Sequence, residues 1–390
     1  MPTRFDVPDR GRSSPKRRRV VAAMAATVTA AVWLSSAPAQ AADAKGFLET
    51  IHRHVTLTST VPDNGDQNPY AIVVAPVSAG LIHQDDVLVD NFNDSGNLQG
   101  LGSTIVDYNP TSRKLTPFAA VPRNLPGCPG GIGLSTAMTM LKSGWVIVGS
   151  TPSKDGTTAT LGAGCLIVID AMGKIQGTLT GLSVNAPWGN MAVTDNGSTA
   201  TLFLSNAGFD VGPPLDNAPV VKEATVLRIE LSIQAGQPPV VTRQTVVGSG
   251  FGAQPDKGVF LVGPTGLALG PDDTLYVSDA IGNRINAIAA ASTRTTSAGI
   301  GRIVTHDGLL HRPLALATAP NGHLLVTNAL NGQVVEIDPV TGTQLYAQWV
   351  DANKAQTPPG SGDLFGIAMT PSGTGFYYVE DEVNTLVLAQ

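Results

Sequence analysis

The residues able to do chemistry in this chain are few and scattered. There are six histidines (His52, His54, His83, His306, His311 and His323) and two cysteines, Cys128 and Cys165. No group of histidines has the spacing of a zinc site. His311 precedes Arg312-Pro313, and Asp363 opens the last apolar stretch of the chain. A histidine and a carboxylate suffice for acid–base work if both reach one substrate. A second set consists of Asn206, Asp279, Asn328 and Asp381, each ending a short apolar run. Their side chains offer the oxygens that Ca²⁺ takes. Equally, an Asx at a strand end bonds its own turn, and recurrence at one register favours that reading. No nucleophile elbow, phosphate loop, dinucleotide fingerprint or metalloprotease motif is present.

The elements that must position these residues repeat. Residues 263–279 (GPTGLALGPDDTLYVSD) and 312–328 (RPLALATAPNGHLLVTN) follow one plan: apolar strand, tight turn, second apolar strand, Asx. Pro271-Asp272-Asp273 and Pro320-Asn321-Gly322 are the turns, with residues suited to hairpins. A third copy runs from Phe365 through Pro371-Ser372-Gly373 to Asp381. Extending that register backward gives marks at Asn91, Ser150, Asn206, Asp279, Asn328 and Asp381, separated by 59, 56, 73, 49 and 53 residues. Gly- and Pro-rich insertions at 208–219 and 234–239 account for the longest step. Hairpin units repeating at about fifty residues predict an all-β, six-bladed β-propeller. Third strands are expected at 104–108, 166–170, 226–231, 284–288 and 334–338. After Asp381 only one strand, 385–389, remains, so the last blade is a strand short. Residues 47–61, which alternate through Ile51, Val55 and Leu57, are its expected donor, closing the ring and removing exposed edges.

The stretch 264–285 resembles the NHL-repeat family of six-bladed propellers, on the pattern P-x-G-[IL]-A-x-x-P-x-G-x-L-x-V-x-D-x-x-N-x-R-[IV]. It is also similar to gluconolactonase/regucalcin-like and streptogramin-lyase-like propellers. The resemblance covers the mature chain, most fully from Gly263 onward. It implies loops that open at the face where each innermost strand begins, the leading face, which carries the ligand in such folds. Regucalcin-like relatives hold Ca²⁺ there; amidating lyases hold zinc with axial histidines, and streptogramin-lyase-like enzymes place a histidine base there. The corresponding positions here are Leu134, Pro187, Gly263 and Asp363, which departs from any histidine set. His311 alone looks toward the mouth, with Asp363 its candidate acid–base partner or Arg312 that carboxylate's ion-pair partner. Trp188, Asn190, Phe209, Arg312 and Phe365 are candidate ligand contacts, although Trp188 and Phe365 serve equally well as packing between blades. The long loops 151–164 and 207–223 should wall one side of a cleft.

Lys16-Arg17-Arg18-Arg19, the apolar run 20–34 and Ala39-Gln40-Ala41 read as a basic region, a hydrophobic region and a cleavage site. Residues 1–41 are therefore expected to be an export signal, and 42–390 a single propeller in the periplasm or outside the cell. Paired arginines permit a twin-arginine route, without a fuller consensus behind them. Removing the signal takes seven of the 24 basic residues and two of the 30 acidic ones, leaving a net charge of −11. That balance excludes a nucleic-acid partner and disfavours anionic membranes. In an oxidising compartment Cys128 and Cys165 are expected to pair. Two functions fit: an exported module, expected to be monomeric, that binds a small molecule or protein at the leading face, or a lactonase- or lyase-type enzyme. Ca²⁺ is the only cofactor the residues suggest.

Overall fold

The computed structural model describes residues 46–351 and 353–390. The expected export signal lies outside the described residues. Six antiparallel sheets make up the fold, and the inner strands of successive blades pack on one another around a ring, blade six returning to blade one. Blade one runs outward through Gln67–Val74, Val87–Asn93, Thr104–Asn109 and Lys114–Ala120; blade two through Leu134–Met140, Val146–Ser150, Cys165–Ile169 and Ile175–Thr178. Blades four and five are equally regular, beginning at Pro264–Leu269 and Pro313–Thr318. Burial follows from position: Leu134–Met140 is buried at every residue, lying between neighbouring blades, whereas the outer Lys114–Ala120 exposes its polar side chains.

The last blade contains Leu364–Met369, Phe376–Glu380 and Thr385–Ala389, and His54–Ser59 completes it by pairing antiparallel with Thr385–Ala389. The expected donor segment is thus the fourth strand. A turn of 3-10 helix, Leu48–Thr50, leads into it, and Phe47, Leu48 and Ile51 are buried with Phe376 and Tyr378. The turn is fastened to blade five by Glu336, whose carboxylate accepts the N–H groups of Phe47 and Leu48, both at 2.8 Å. Asn321 and His323 bond the same carboxylate at 2.8 and 2.7 Å.

The glycine of the repeat has a packing cause. A Cβ on Gly266 would collide with the Leu314 carbonyl of the next blade, and one on Gly366 with the Tyr70 carbonyl of blade one. Hydroxyls just before the register residues also join blades. Ser205 donates to the Thr265 carbonyl at 2.6 Å, Ser278 to that of Leu314, and Thr327 to that of Phe365 at 3.0 Å.

Blade three departs from the expected plan. Its inner strand is split into Ala186–Pro187 and Ala192–Asp195, and Val221–Ser232 begins inside the segment expected to be loop. It pairs with Val240–Asp256, a 17-residue strand that turns back into Phe260–Val262. Gly248, Gly250 and Gly252 interrupt the apolar pattern of that strand, so its sequence reads as loop. Cys128 and Cys165 form a disulfide with Cα atoms 5.4 Å apart, tying the loop before blade two to the start of its third strand.

Candidate functional site

The leading end of the axis is filled. Tyr70 and Phe92 of blade one, Trp188 and Phe260 of blade three, and Phe365 of blade six meet there. Tyr70 stacks on Phe365 at 3.8 Å and on Phe92 at 4.5 Å, and Trp188 meets both blade-one rings edge-on. Blades one, three and six do not all adjoin, so rings from all three touch only by crossing the axis. Trp188 and Phe365, each 2% exposed, therefore lie within an aromatic plug, the packing role rather than a wall open to ligand. Below it Asn190 is engaged too: its amide donates to the carbonyls of Leu267 and Leu316 at 3.0 and 3.1 Å and accepts the Leu316 N–H at 3.1 Å. Asn190 thereby links blade three to blades four and five. Phe209 is half-buried.

Most register residues act as latches on the chain entering their own blade. Asn206 accepts the Asn185 N–H at 2.7 Å and donates to the Ser183 carbonyl at 3.2 Å. Asn328 accepts the His311 N–H at 3.0 Å and donates to the Leu309 carbonyl at 2.9 Å. Asn91 and Ser150 donate to Thr60 and Gly131 in the same way. Asp279 instead caps the following turn, accepting the Gly282 N–H at 2.9 Å and pairing with Arg284 at 2.7 Å. Among the described residues no three His, Cys, Asp or Glu side chains are grouped to hold a metal ion.

Arg312 pairs with Asp256 of blade three at 2.7 Å, not with Asp363. Burial alone would raise the Asp256 pKa, but the N–H groups of Val259 and Gly258 and the Arg312 charge bring it below the usual carboxylate value. His311 is exposed and its ring has no hydrogen-bond partner among the described residues. The side chain of Asp363 turns elsewhere, its Oδ1 accepting Gln356 Nε2 at 2.6 Å. The structure does not assemble His311 with Asp363.

What Asp363 does border is a cleft of about 510 Å³ on the leading face. Blade one contributes Asn68 and Asn93, blade three Lys257, and blade six Asp363, Asp381 and Glu382, while Gly156 comes from the long blade-two loop. The cleft therefore lies among blades one, two, three and six on the leading face. Two amide oxygens of lining residues, Asn68 Oδ1 and Asn93 Oδ1, are buried from solvent, as is Asp363 Oδ2, whose carboxyl is hydrogen-bonded with Asp351. Several donors are already committed. Asn93 Nδ2 bonds Asn97 at 2.7 Å, Gln99 Nε2 bonds the Gly258 carbonyl at 2.7 Å, and Lys257 Nζ pairs with Asp216 at 2.5 Å. Burial, with Asp351 alongside, pushes the Asp363 pKa up to about 8. Asp381 keeps some accessible surface at its edge, yet desolvation, and then Asp363, raises it well above the ordinary aspartate value.

Asn68, Asn93 and Asp351 are site residues that sequence reading did not single out. Asn68 has a left-handed backbone (φ 63°) and Asn93 lies two residues past a register mark. Neither feature marks a side chain as facing a cleft.

No protein-family model and no curated protein sequence matches the chain. Among solved structures it is similar to a gluconolactonase from Xanthomonas campestris, at 13% identity over 86% of this chain and 88% of that one, with a TM-score of 0.52. It is similar also to a putative gluconolactonase (13% identity, 87% and 91% covered, TM-score 0.52). A luciferin-regenerating enzyme aligns equally well, at 13% identity over 87% of this chain and 95% of that one, with a TM-score of 0.52. At such identity the likeness shows the six-bladed propeller fold and no more.

Proposed function

We propose that this chain is an exported, monomeric propeller that binds a small ligand in the leading-face cleft lined by blades one, two, three and six. The observation that carries the reading is a polar cleft of about 510 Å³ on the leading face, lined by residues of blades one, two, three and six, Asn68, Asn93, Asn97 and Asp363 among them. The disulfide agrees with an oxidising destination, and none of the described helices is long and apolar enough to cross a membrane.

A hydrolytic reading has one specific support besides the lactonase names of its fold relatives. Asp363 is a buried carboxyl bordering a cleft with its pKa pushed up to about 8, a value suited to proton transfer near neutrality. The experiment that separates the two is a pH-stat assay of the purified protein with a panel of sugar lactones, run beside thermal-shift screening of the same compounds. Binding without acid release supports the binding module. Acid release that Asp363→Asn abolishes supports the enzyme. A ligand whose affinity survives both Asn93→Ala and Asp363→Asn would place binding elsewhere.

A further inference from the structure

We propose a second binding site, on the face opposite the leading one, that takes a small organic oxyanion: a carboxylate or phosphate-ester head held by Arg53 and Arg113, with an apolar body along the fourth strand of blade six. The site is a groove of about 440 Å³ where blade six meets blade one. Blade one supplies Tyr108 and Arg113, and blade six supplies Tyr377 and Leu388. Arg53, Val55 and Leu57 come from the segment that leads into and forms the fourth strand. Strand register fixes the place. Tyr108 lies opposite Val87 and Leu388 opposite Tyr377, where the second strands of the two blades begin, far from the leading face. The groove shares no residue with the leading-face cleft, and the argument for it is independent of that cleft.

Charge selects the ligand. Arg228, Arg284 and Arg312 each pair with a carboxylate elsewhere in the molecule. Arg53 and Arg113 are exposed and bond only through their main-chain groups, so both guanidiniums are unpaired among the described residues. No Asp or Glu lines the groove. Gln390 does, but its main-chain oxygen already accepts the N–H groups of His52 and Arg53, at 3.1 and 2.8 Å. The inner wall is Tyr108 and Tyr377, only 2% and 5% exposed, whose hydroxyls are bonded to no described residue and yet are not sealed from solvent. Burial raises the Tyr108 phenol and the Arg113 charge opposes it; burial, then Tyr108, then Asp85, raises Tyr377. The two hydroxyls and one guanidinium are therefore neighbours, and all can donate. A ligand must bring acceptors and negative charge, and a guanidinium meets a carboxylate or phosphate with two parallel bonds. A neutral amide would leave the guanidiniums without a counter-charge. Half-buried Val55, Leu57 and Leu388 bound the remaining space and suit a ring or short alkyl body.

The test offers the purified chain phenylacetate, phenyl phosphate, phenylacetamide and inorganic phosphate, read by thermal shift and titration calorimetry. Phenylacetate and phenylacetamide share a shape and differ in charge. The expected result is binding of the two aromatic anions, with the amide weaker by about tenfold or more and affinity falling as NaCl rises. The tighter of the two anions identifies the head group. Inorganic phosphate should bind well below phenyl phosphate, because it leaves the apolar wall uncovered. Arg53→Gln and Arg113→Gln should each weaken the anions by about tenfold, the loss of one charge-assisted bond, and Tyr108→Phe by a smaller factor. Arg113→Lys, which keeps the charge without the fork, should recover part of that loss. Both arginines are exposed, so the unliganded melting temperatures of their variants should stay near that of the parent. Amide bound as tightly as phenylacetate, or anion affinity unchanged by both arginine substitutions, would overturn the proposal. Inorganic phosphate bound as tightly as phenyl phosphate would overturn the organic class of ligand, and no response to any of the four would overturn the site.

Discussion

Tyr70 of blade one stacks on Phe365 of blade six with ring centroids 3.8 Å apart, bridging the seam where the ring closes. Both rings are buried, and Phe365 lies in the inner strand of the blade whose fourth strand comes from the other end of the described residues. Phe365→Ala should cost about 3–5 kcal/mol, the range for truncating a buried aromatic. Urea unfolding should show it as a lower midpoint.

Asp90 holds in blade one the place that Ser278 and Thr327 hold in blades four and five. All three accept an inner-strand N–H of their own blade, from Ala71 at 2.7 Å, Gly266 at 2.7 Å and Ala315 at 3.0 Å. The hydroxyls also donate onward to the next blade; a carboxyl can copy that only when protonated. Burial does raise Asp90 to about 8, against the N–H groups of Ala71 and Tyr70, which pull it down. Asp107 is raised to about 7 and Glu380 to about 6, in both cases first by burial. For each, the folded state keeps its proton where the unfolded chain has lost it. Stability is therefore complete below the unfolded pKa and falls as pH rises from about 4 to 8. Melting temperature should peak in mild acid, and Asp90→Ser should flatten the decline. An undiminished slope in that variant would assign it to the other carboxyls.

Glu336 titrates in the opposite sense. Burial would raise its pKa, but the N–H groups of Leu48 and Phe47, with His323 and Asn321, hold it below the ordinary glutamate value. Its contribution is present above the unfolded pKa and lost as pH falls through the folded one. Glu336→Gln should cost about 1–3 kcal/mol. Hydrogen exchange at Phe47 and Leu48 should speed up before blade five responds.

Asp279 gives a check on calcium. With Gly282 and Arg284 on its oxygens, Asp279→Ala should lower stability by about 1–3 kcal/mol, equally with calcium or a chelator. A loss seen only in calcium would make it a ligand.

The disulfide closes a sequence separation of 37 residues. Breaking it by Cys128→Ala with Cys165→Ala should cost roughly 3–4 kcal/mol on the chain-entropy account. Thiol titration of unfolded, unreduced protein should find none free.

The blade count and the closing strand were legible because a propeller repeats its hairpin, and each copy restates the register. Thr385–Ala389 was foreseen to the residue, and His54–Ser59 fell inside the expected donor segment. Val240–Asp256 was not legible, because its glycines break the apolar period while its backbone still pairs. The cleft was legible only as a face. Asp363 stood out as an acid in a repeated position, but Asn68 and Asn93 join it through the fold of blade one against blade six, a contact spanning nearly the whole chain. His311 stood out by rarity, and rarity carries no direction for a side chain.

Strand His54–Ser59 has a bearing on how the molecule is made. The first strand among the described residues pairs with Thr385–Ala389, the last of them, more than three hundred residues away. Until the two strands meet, blade six keeps an unpaired edge and the ring cannot close. Conversely, joining the two ends through a short linker and cutting in the exposed turn at Asn196-Gly197 would leave every blade built from contiguous sequence except blade three. Such a permutant would move the seam half-way round the ring, from blade six to blade three.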